Sequence, residues 1–294
     1  MTTPAPSHDG RKSVLITGCT PGGIGYSLAL EFHSHGYRVF ATARSPSTIS
    51  SLATLGIETL ALELHDPQTI TSLQSHIRSL TNGRGLDILV NNAGKNNIMP
   101  ALELDMDEVQ KTFDVNVFGV MRMCQTFGPM VVQAKGIIVM IGSLAAVTPY
   151  VFGSSYNASK AAVHAYSDTL RVELEPFGVR VITVITGGVK SNISRSDRRL
   201  SQDSLYLPVE AEFERRLKYS QEGAMATTEY AKSVVNHLLR KQPKKYIWQG
   251  NKSWLAWFAY TFLPRRVMDL YMYRVFNLWK LRTNHSVTDK KKQT

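Results

Sequence analysis

Apolar and polar positions alternate along this chain in a pattern of short strands followed by helices. After a polar, proline-containing arm comes a short apolar stretch, Ser13–Ile16, and then a glycine-rich turn. Ile24, Leu28, Leu30 and Phe32 next recur at helical spacing until Gly36 stops the pattern. Apolar runs over 38–42 and 57–64 predict a second and a third strand; the latter leads through His65-Asp66-Pro67 into a helix ending near Leu80. Residues 86–90 are almost wholly apolar, as a strand buried on both faces should be. A long helix is predicted over 106–131, a helix near 208–222, another over 228–239, and a last strand over 245–249. Strands alternating with helices predict an α/β domain over 12–250, built on one parallel sheet with helices on both faces. Residues 1–11 read as a disordered arm, and 251–294 as an appended segment.

The turns carry the first chemistry. Thr17-Gly18-Cys19-Thr20-Pro21-Gly22-Gly23-Ile24-Gly25 joins the first strand to the first helix. Glycines in that place let the backbone approach a pyrophosphate at a helix N-terminus. The glycines are not spaced G-x-G-x-x-G, and which of Cys19, Thr20 and Pro21 approaches a ligand is open. The second strand runs into Ala43-Arg44-Ser45, with no Asp or Glu between Arg38 and Ser51. An acid there would bond a ribose 2′-hydroxyl, whereas an arginine accommodates a 2′-phosphate, so NADP is expected over NAD. Asn91-Asn92-Ala93-Gly94 ends the fourth strand with amide and small residues suited to a crevice floor. Asn116 falls within a predicted helix, where asparagine is a poor former and is either exposed or has a local task.

A second cluster lies further on. Tyr156 precedes Lys160 by four residues, which on a helix stacks phenol and ammonium on one face, and Ser143 lies thirteen residues upstream. A free tyrosine titrates near pH ~10, too high for ready proton transfer at neutral pH. A nearby cation favours the phenolate and would make a usable general acid or base. By itself the pair equally describes an ordinary exposed helix face.

Taken together and in order, these pieces resemble the single-domain short-chain dehydrogenases/reductases. The resemblance rests on Thr17-Gly18 with Gly23-Ile24-Gly25, Asn91-Asn92-Ala93-Gly94, Asn116, Ser143, Tyr156-x-x-x-Lys160 and Thr186-Gly187-Gly188-Val189-Lys190-Ser191. The turn TGCTPGGIG, the ATAR after the second strand, the TGGV and the Trp-rich tail further resemble the fungal-type NADPH-dependent 1-acyldihydroxyacetone-phosphate reductases. The resemblance implies a Rossmann-like, doubly wound sheet, NADP(H) as cofactor, and reduction of a ketone on a small lipophilic substrate. It implies Tyr156 as proton donor, Lys160 as ribose ligand and activator of Tyr156, Ser143 orienting the carbonyl, and Asn116 holding a water of the proton relay. Cofactor contacts are implied for Thr17, Gly18, Gly23, Ile24, Gly25, Arg44, Ser45, Glu63, Leu64, Asn92, Ala93, Gly94, Val189 and Ser191, beside Tyr156 and Lys160. It also implies a substrate lid over about 192–223 and a homo-oligomer. Glu63 stands where the family often has Asp, and Thr186 where it has proline.

Composition shifts attention to the tail. Of the net charge of +11, about +10 falls from Lys241 onward, leaving a near-neutral body that does not suit nucleic acid. Two cysteines give no disulfide framework or metal spacing and fit a reducing compartment. The N-terminal arm lacks an apolar core for a secretory signal, and no apolar run is long enough to span a bilayer. Residues 254–263 (WLAWFAYTFL) are apolar and end at Pro264-Arg265-Arg266. Beyond them Arg266, Asp269, Tyr273, Asn277 and Lys280 form a narrow polar stripe beside a wide apolar face. An amphipathic helical extension of this kind, rich in aromatics and basic residues, suits peripheral contact with a membrane through 254–281, on the cytoplasmic side of the ER or at a lipid droplet. The ending Lys291-Lys292-Gln293-Thr294 resembles a dilysine retrieval signal. The same segment could instead pack over the pocket or a partner subunit. Arg195, Arg198 and Arg199 are candidates to meet a phosphorylated substrate, or simply a solvated run. Two other functions compete: a catalytically silent NADP-binding regulator, which would need no proton donor, and a serine hydrolase, for which Gly153-Ser154-Ser155-Tyr156-Asn157 lacks the final glycine of a nucleophile elbow.

Overall fold

The computed structural model describes residues 10–194 and 197–282. Most of the expected arm, Arg195 and the Lys291-Lys292 ending lie outside the described residues. Seven strands form one sheet: β1 (Ser13–Ile16), β2 (Arg38–Ala43), β3 (Glu58–Ala61), β4 (Ile88–Asn91), β5 (Ile137–Ile141), β6 (Arg180–Thr186) and β7 (Tyr246–Gln249). All pair in parallel in the order β3-β2-β1-β4-β5-β6-β7. The order reverses between β1 and β4, so the crevice for a ligand opens at the carboxyl ends of those two strands.

The pleat explains the two layers. Val14 and Ile16 of β1 face one core with Leu28 and Phe32 of α1 (Ile24–Ser34) and with Val234 and Leu238 of a helix over Thr227–Leu238. Leu15, between them, faces the other core, with Ile70 and Ile77 of a helix over Pro67–Leu80, Phe127 of one over Gly119–Ala134, and Val163 of one over Ser154–Leu174. In chain order the helices are α1, α2 (Ser50–Ala53), α3 (Pro67–Leu80), α4 (Met106–Phe113), α5 (Gly119–Ala134), α6 (Ser154–Leu174), α7 (Glu210–Tyr219), α8 (Thr227–Leu238), α9 (Ser253–Phe262) and α10 (Arg265–Val275).

Three elements differ from expectation. β3 stops at Ala61 and not at residue 64, because the chain already turns at Glu63, whose carbonyl accepts from the Thr69 hydroxyl and from Asp66 N. The predicted helix over 106–131 is α4 and α5 joined by a π-helical turn, Asp114–Phe118. Such turns insert one extra residue and re-aim a side chain, here Asn116. The helix expected near 208–222 is shorter, with a 3-10 turn at Leu207–Val209 before α7.

The tail also departs from expectation. Met272 and Phe276 are buried with Phe152, Val209 and Phe213 in a third apolar cluster, so α10 docks on the body. Its polar stripe is partly committed: Asn277 Nδ2 and Lys280 Nζ both donate to Glu212 Oε1, at 2.6 and 2.7 Å. The apolar face is thus divided, with Val267, Leu270 and Trp279 outside and Met272 and Phe276 inside. Among the described residues no helix is long and apolar enough to cross a membrane.

Candidate active site

The turn after β1 is built by close backbone packing. Gly18 has φ of +73°, and a Cβ there would lie 2.9 Å from Ala93 Cα. Asn92 Nδ2 donates to Thr17 O at 2.7 Å and Gly18 O at 2.9 Å, while the Thr17 hydroxyl accepts from Asn92 N and Ala93 N, both at 3.0 Å. Gly25 fits only because it has no side chain: a Cβ would approach Asn92 Nδ2 to 2.5 Å. The two crevice walls are therefore locked to each other. Helix α1 starts at Gly23 with no side-chain cap and no acid in its first turn. Its free N–H groups and positive end fit a dinucleotide's pyrophosphate. Cys19 points away: its Sγ donates to Ile16 O at 3.4 Å, and burial pushes the thiol up to about 12. Of the three residues left open by the sequence, Thr20 lines the cavity.

That cavity, of about 950 Å³, runs along the carboxyl edge of the sheet. It is lined by Thr17, Gly18, Gly23, Ile24, Arg44, Glu63, Leu64, Asn92, Ala93, Gly94, Ser143, Tyr156, Lys160, Val189 and Ser191. A volume of this size is at the upper end for one bound ligand. Three expected residues stand outside it. Gly25 supports the turn from behind, and the Ser45 hydroxyl turns to Ser47 Oγ at 2.8 Å. Asn116 is buried beneath the wall: its Oδ1 accepts from Lys95 N at 2.7 Å, and its Nδ2 donates to Lys95 O and Ser159 Oγ, both at 2.9 Å. Two of these bonds fix the loop after β4, and the third ties it to α6.

Ser143, Tyr156 and Lys160 converge because β5 ends at Ile141 and α6 begins beside it. Ser143 Oγ caps a 3-10 turn by accepting from Ala145 N at 3.1 Å. Lys160 is buried and its Nζ donates to Ile141 O at 2.9 Å; burial lowers its pKa to about 8. Its Nζ stands 5.9 Å from the centre of the Tyr156 ring. Tyr156, expected below the ordinary tyrosine range, is above it. Burial raises it, and the Ser143 hydrogen bond and the charge of Arg216 only partly oppose this. The correction has a simple cause: removing a phenolate from water costs more than these neighbours return.

Residues 12–201 match the family described as short chain dehydrogenase. The chain belongs to that family. A short-chain dehydrogenase of Neurospora crassa is 42% identical over 283 residues, covering 96% of this chain and 97% of the relative. An NADPH-dependent 1-acyldihydroxyacetone phosphate reductase of Schizosaccharomyces pombe is 43% identical over 206 residues, covering 68% of this chain and 69% of that one. Among solved structures, a short-chain dehydrogenase from Streptomyces avermitilis superposes with a TM-score of 0.75 at 22% identity, covering 98% of this chain and 99% of that one. A second, from Burkholderia cenocepacia in complex with NADP, gives 0.69 at 20% identity, with 89% and 97% covered. The fold is the Rossmann-like sheet of the short-chain dehydrogenases, and the chain is an oxidoreductase of that family.

Two residues at this dehydrogenase's site were not expected there from the sequence. His164, one turn beyond Lys160, accepts from Ser143 N through Nε2 at 3.3 Å. Burial and the neighbouring Lys160 charge bring it down to about 4, so at neutral pH it is the uncharged acceptor that this bond requires. A side chain at Gly142 would collide with its ring. Arg216 of α7 is 2% exposed and lines the cavity. Its spacing after Val209 and Phe213, at seven and three residues, puts it on the apolar face of the helix and was the available signal. Of the expected basic residues, Arg198 lines the cavity but pairs with Glu108 at 3.2 Å, and Arg199 is exposed. Leu144 and Tyr150 line the cavity beside Ser143, while Phe152 belongs to the third apolar cluster.

Proposed function

We propose that this dehydrogenase uses NADPH to reduce the ketone of a lipophilic substrate to a secondary alcohol. The observation that carries the reading is the convergence of Ser143, Tyr156 and Lys160 on one cavity whose far wall is apolar, formed by Leu255, Ala259, Leu263, Val267 and Met272. Arg44 on the cavity wall, with no acid between Arg38 and Ser51, supports NADP over NAD. The Schizosaccharomyces pombe relative, an NADPH-dependent reductase of 1-acyldihydroxyacetone phosphate, supports the same cofactor and a ketone substrate.

When bound, the reduced nicotinamide supplies the hydride. The protein receives the negative charge that builds on the carbonyl oxygen. The Ser143 hydroxyl and the Tyr156 phenol donate to it, and each such donor can be worth on the order of 10²–10³ in rate. Tyr156, held protonated at neutral pH, gives its proton to that oxygen, and the Lys160 ammonium stabilises the phenolate left behind. His164 and Ile141 O hold Ser143 and Lys160 in place. A hydrolase is not favoured: His164 accepts from Ser143 N, not from a serine hydroxyl. A panel of acyl-ketone phosphates and polyketide-like ketones, assayed with NADPH and with NADH, tests the reading. Turnover with NADPH on at least one ketone class supports it, and none on any class overturns it.

Peripheral membrane contact belongs to the same reading. Trp254 and Phe262 are 71% and 61% exposed, Trp257 and Phe258 lie between them, and Arg265 and Arg266 follow. The other side of these helices is cavity wall, so a substrate leaving a bilayer would meet the site directly.

A further inference from the structure

The substrate end of the cavity holds a charge that the reaction above does not use. Arg216 is buried among apolar and aromatic residues, and its guanidinium lies 3.6 Å from the centre of the Tyr150 ring. Its Nε donates to Val151 O at 2.9 Å, which fixes the plane. Among the described residues no carboxylate pairs with it. Of the acids nearby in sequence, Glu210 and Glu214 are exposed, Glu212 pairs with Lys280 at 2.7 Å and Glu222 with Arg215 at 3.3 Å. A desolvated cation without a counter-charge is costly to fold around.

Its position adds to that cost. Gly153 is the N-cap of the 21-residue helix α6, and a Cβ there would lie 3.1 Å from Arg216 Nη2. The guanidinium thus sits at the positive end of a long helix, where an anion is favoured and a cation is not. Lys252 lies nearby on the same wall, its Nζ 4.6 Å from the centre of the Tyr219 ring and 3.1 Å from its hydroxyl. Cation and helix end both ask for negative charge, and Arg216 lines the same cavity as Tyr156. With Nε occupied, the terminal nitrogens remain, and they form a fork that matches a carboxylate or phosphate.

We infer that Arg216 anchors an anionic oxygen group on the substrate, so that this enzyme reduces keto acids or keto phosphates carrying an apolar chain. The inference rests on the carbonyl-reductase reading and deepens it. Anion and chain divide the cavity: the charged group meets Arg216 and the α6 N-terminus, and the chain lies against α9 and α10. An arginine that only braced Tyr150 and Val151 would show no preference among substrates of equal length.

Three probes of matched chain length test this with NADPH: a keto acid, its neutral methyl ester and a keto phosphate. The unaltered enzyme is expected to prefer at least one anion over the ester by tenfold or more in kcat/KM, and the preferred anion tells carboxylate from phosphate. Arg216→Leu should bring that ratio within threefold of unity by raising KM for the anion, and Arg216→Lys should restore part of it. Equal use of ester and anions by the unaltered enzyme, or an equal loss on all three probes in Arg216→Leu, overturns the assignment. A binding measurement without turnover separates this from failure of the reductase reading. Dodecanoate or dodecyl phosphate should raise the melting temperature of the unaltered protein more than dodecanol at equal concentration. Equal shifts would overturn the anchor even if Arg216→Leu does not fold.

Discussion

Asn116 is where structure and catalysis are most tightly joined, and its replacement by alanine can be worked through. The side chain makes three hydrogen bonds, two of them to the backbone N–H and C=O of Lys95. Ser159 keeps a second bond, to Tyr156 O at 2.8 Å, so its hydroxyl is not orphaned. The Lys95 groups have no such alternative shown. Leaving a buried polar group unpaired costs about 1–3 kcal/mol, so two such groups predict a loss of about 2–6 kcal/mol. At roughly 2 °C per kcal/mol for a chain of this size, the melting temperature should fall by about 4–12 °C. Turnover should suffer as well. A Cβ at Gly94 would lie 3.4 Å from Asn116 Oδ1 and 3.7 Å from Lys160 Nζ, so the loop that Asn116 fixes borders the Lys160 ammonium. A displacement near 1 Å there can cost on the order of 10² in rate. Differential scanning calorimetry and single-turnover kinetics on Asn116→Ala check both numbers. A melting temperature within 1 °C (about the resolution of the method) together with turnover within about twofold would refute the reasoning.

Other outcomes follow from the same geometry. Gly25→Ala pushes a methyl against Gly18 O and Asn92 Nδ2, and should weaken dinucleotide binding at least about tenfold by fluorescence titration, about 1.4 kcal/mol. Arg44→Ala would remove the charge-assisted contact proposed with the 2′-phosphate, worth about 1.5–3 kcal/mol, and should raise KM for NADPH by roughly 10- to 150-fold while leaving NADH little changed. Lys160 titrates near 8 in the folded protein against an ordinary value of 10.5. The folded state therefore binds fewer protons between those pH values; the burial penalty is full below pH 8 and fades as pH rises to 10.5. Lys160→Met should accordingly raise the melting temperature at pH 7 while nearly abolishing turnover, with the stability gain shrinking in titrations above pH 8.

Much of this architecture is legible in local sequence. The glycine turn, the amide-rich end of β4 and the Tyr156–Lys160 spacing announce themselves because each task demands residue types at fixed separations. β5 and β6 do not, because a short wholly buried run such as Ile137–Ile141 reads equally as strand or helix core. The raised pKa of Tyr156 was equally hidden, since burial depth is a property of packing and not of spacing. Arg216 was masked by its neighbours: Arg215 and Lys218 are solvated, and composition alone makes the stretch a charged surface. The docking of α10 depends on Asn277 and Lys280 reaching Glu212, contacts separated by 65 and 68 positions that no local pattern records.

In the proposed reaction the Tyr156 phenol is the group that protonates the reduced carbonyl. Pre-steady-state measurement of Tyr156→Phe, with NADPH binding and oxidation followed separately, tests it most directly. The expected result is unchanged NADPH affinity with NADPH oxidation slowed by about 10³-fold or more. Oxidation at the unaltered rate in that variant would contradict it.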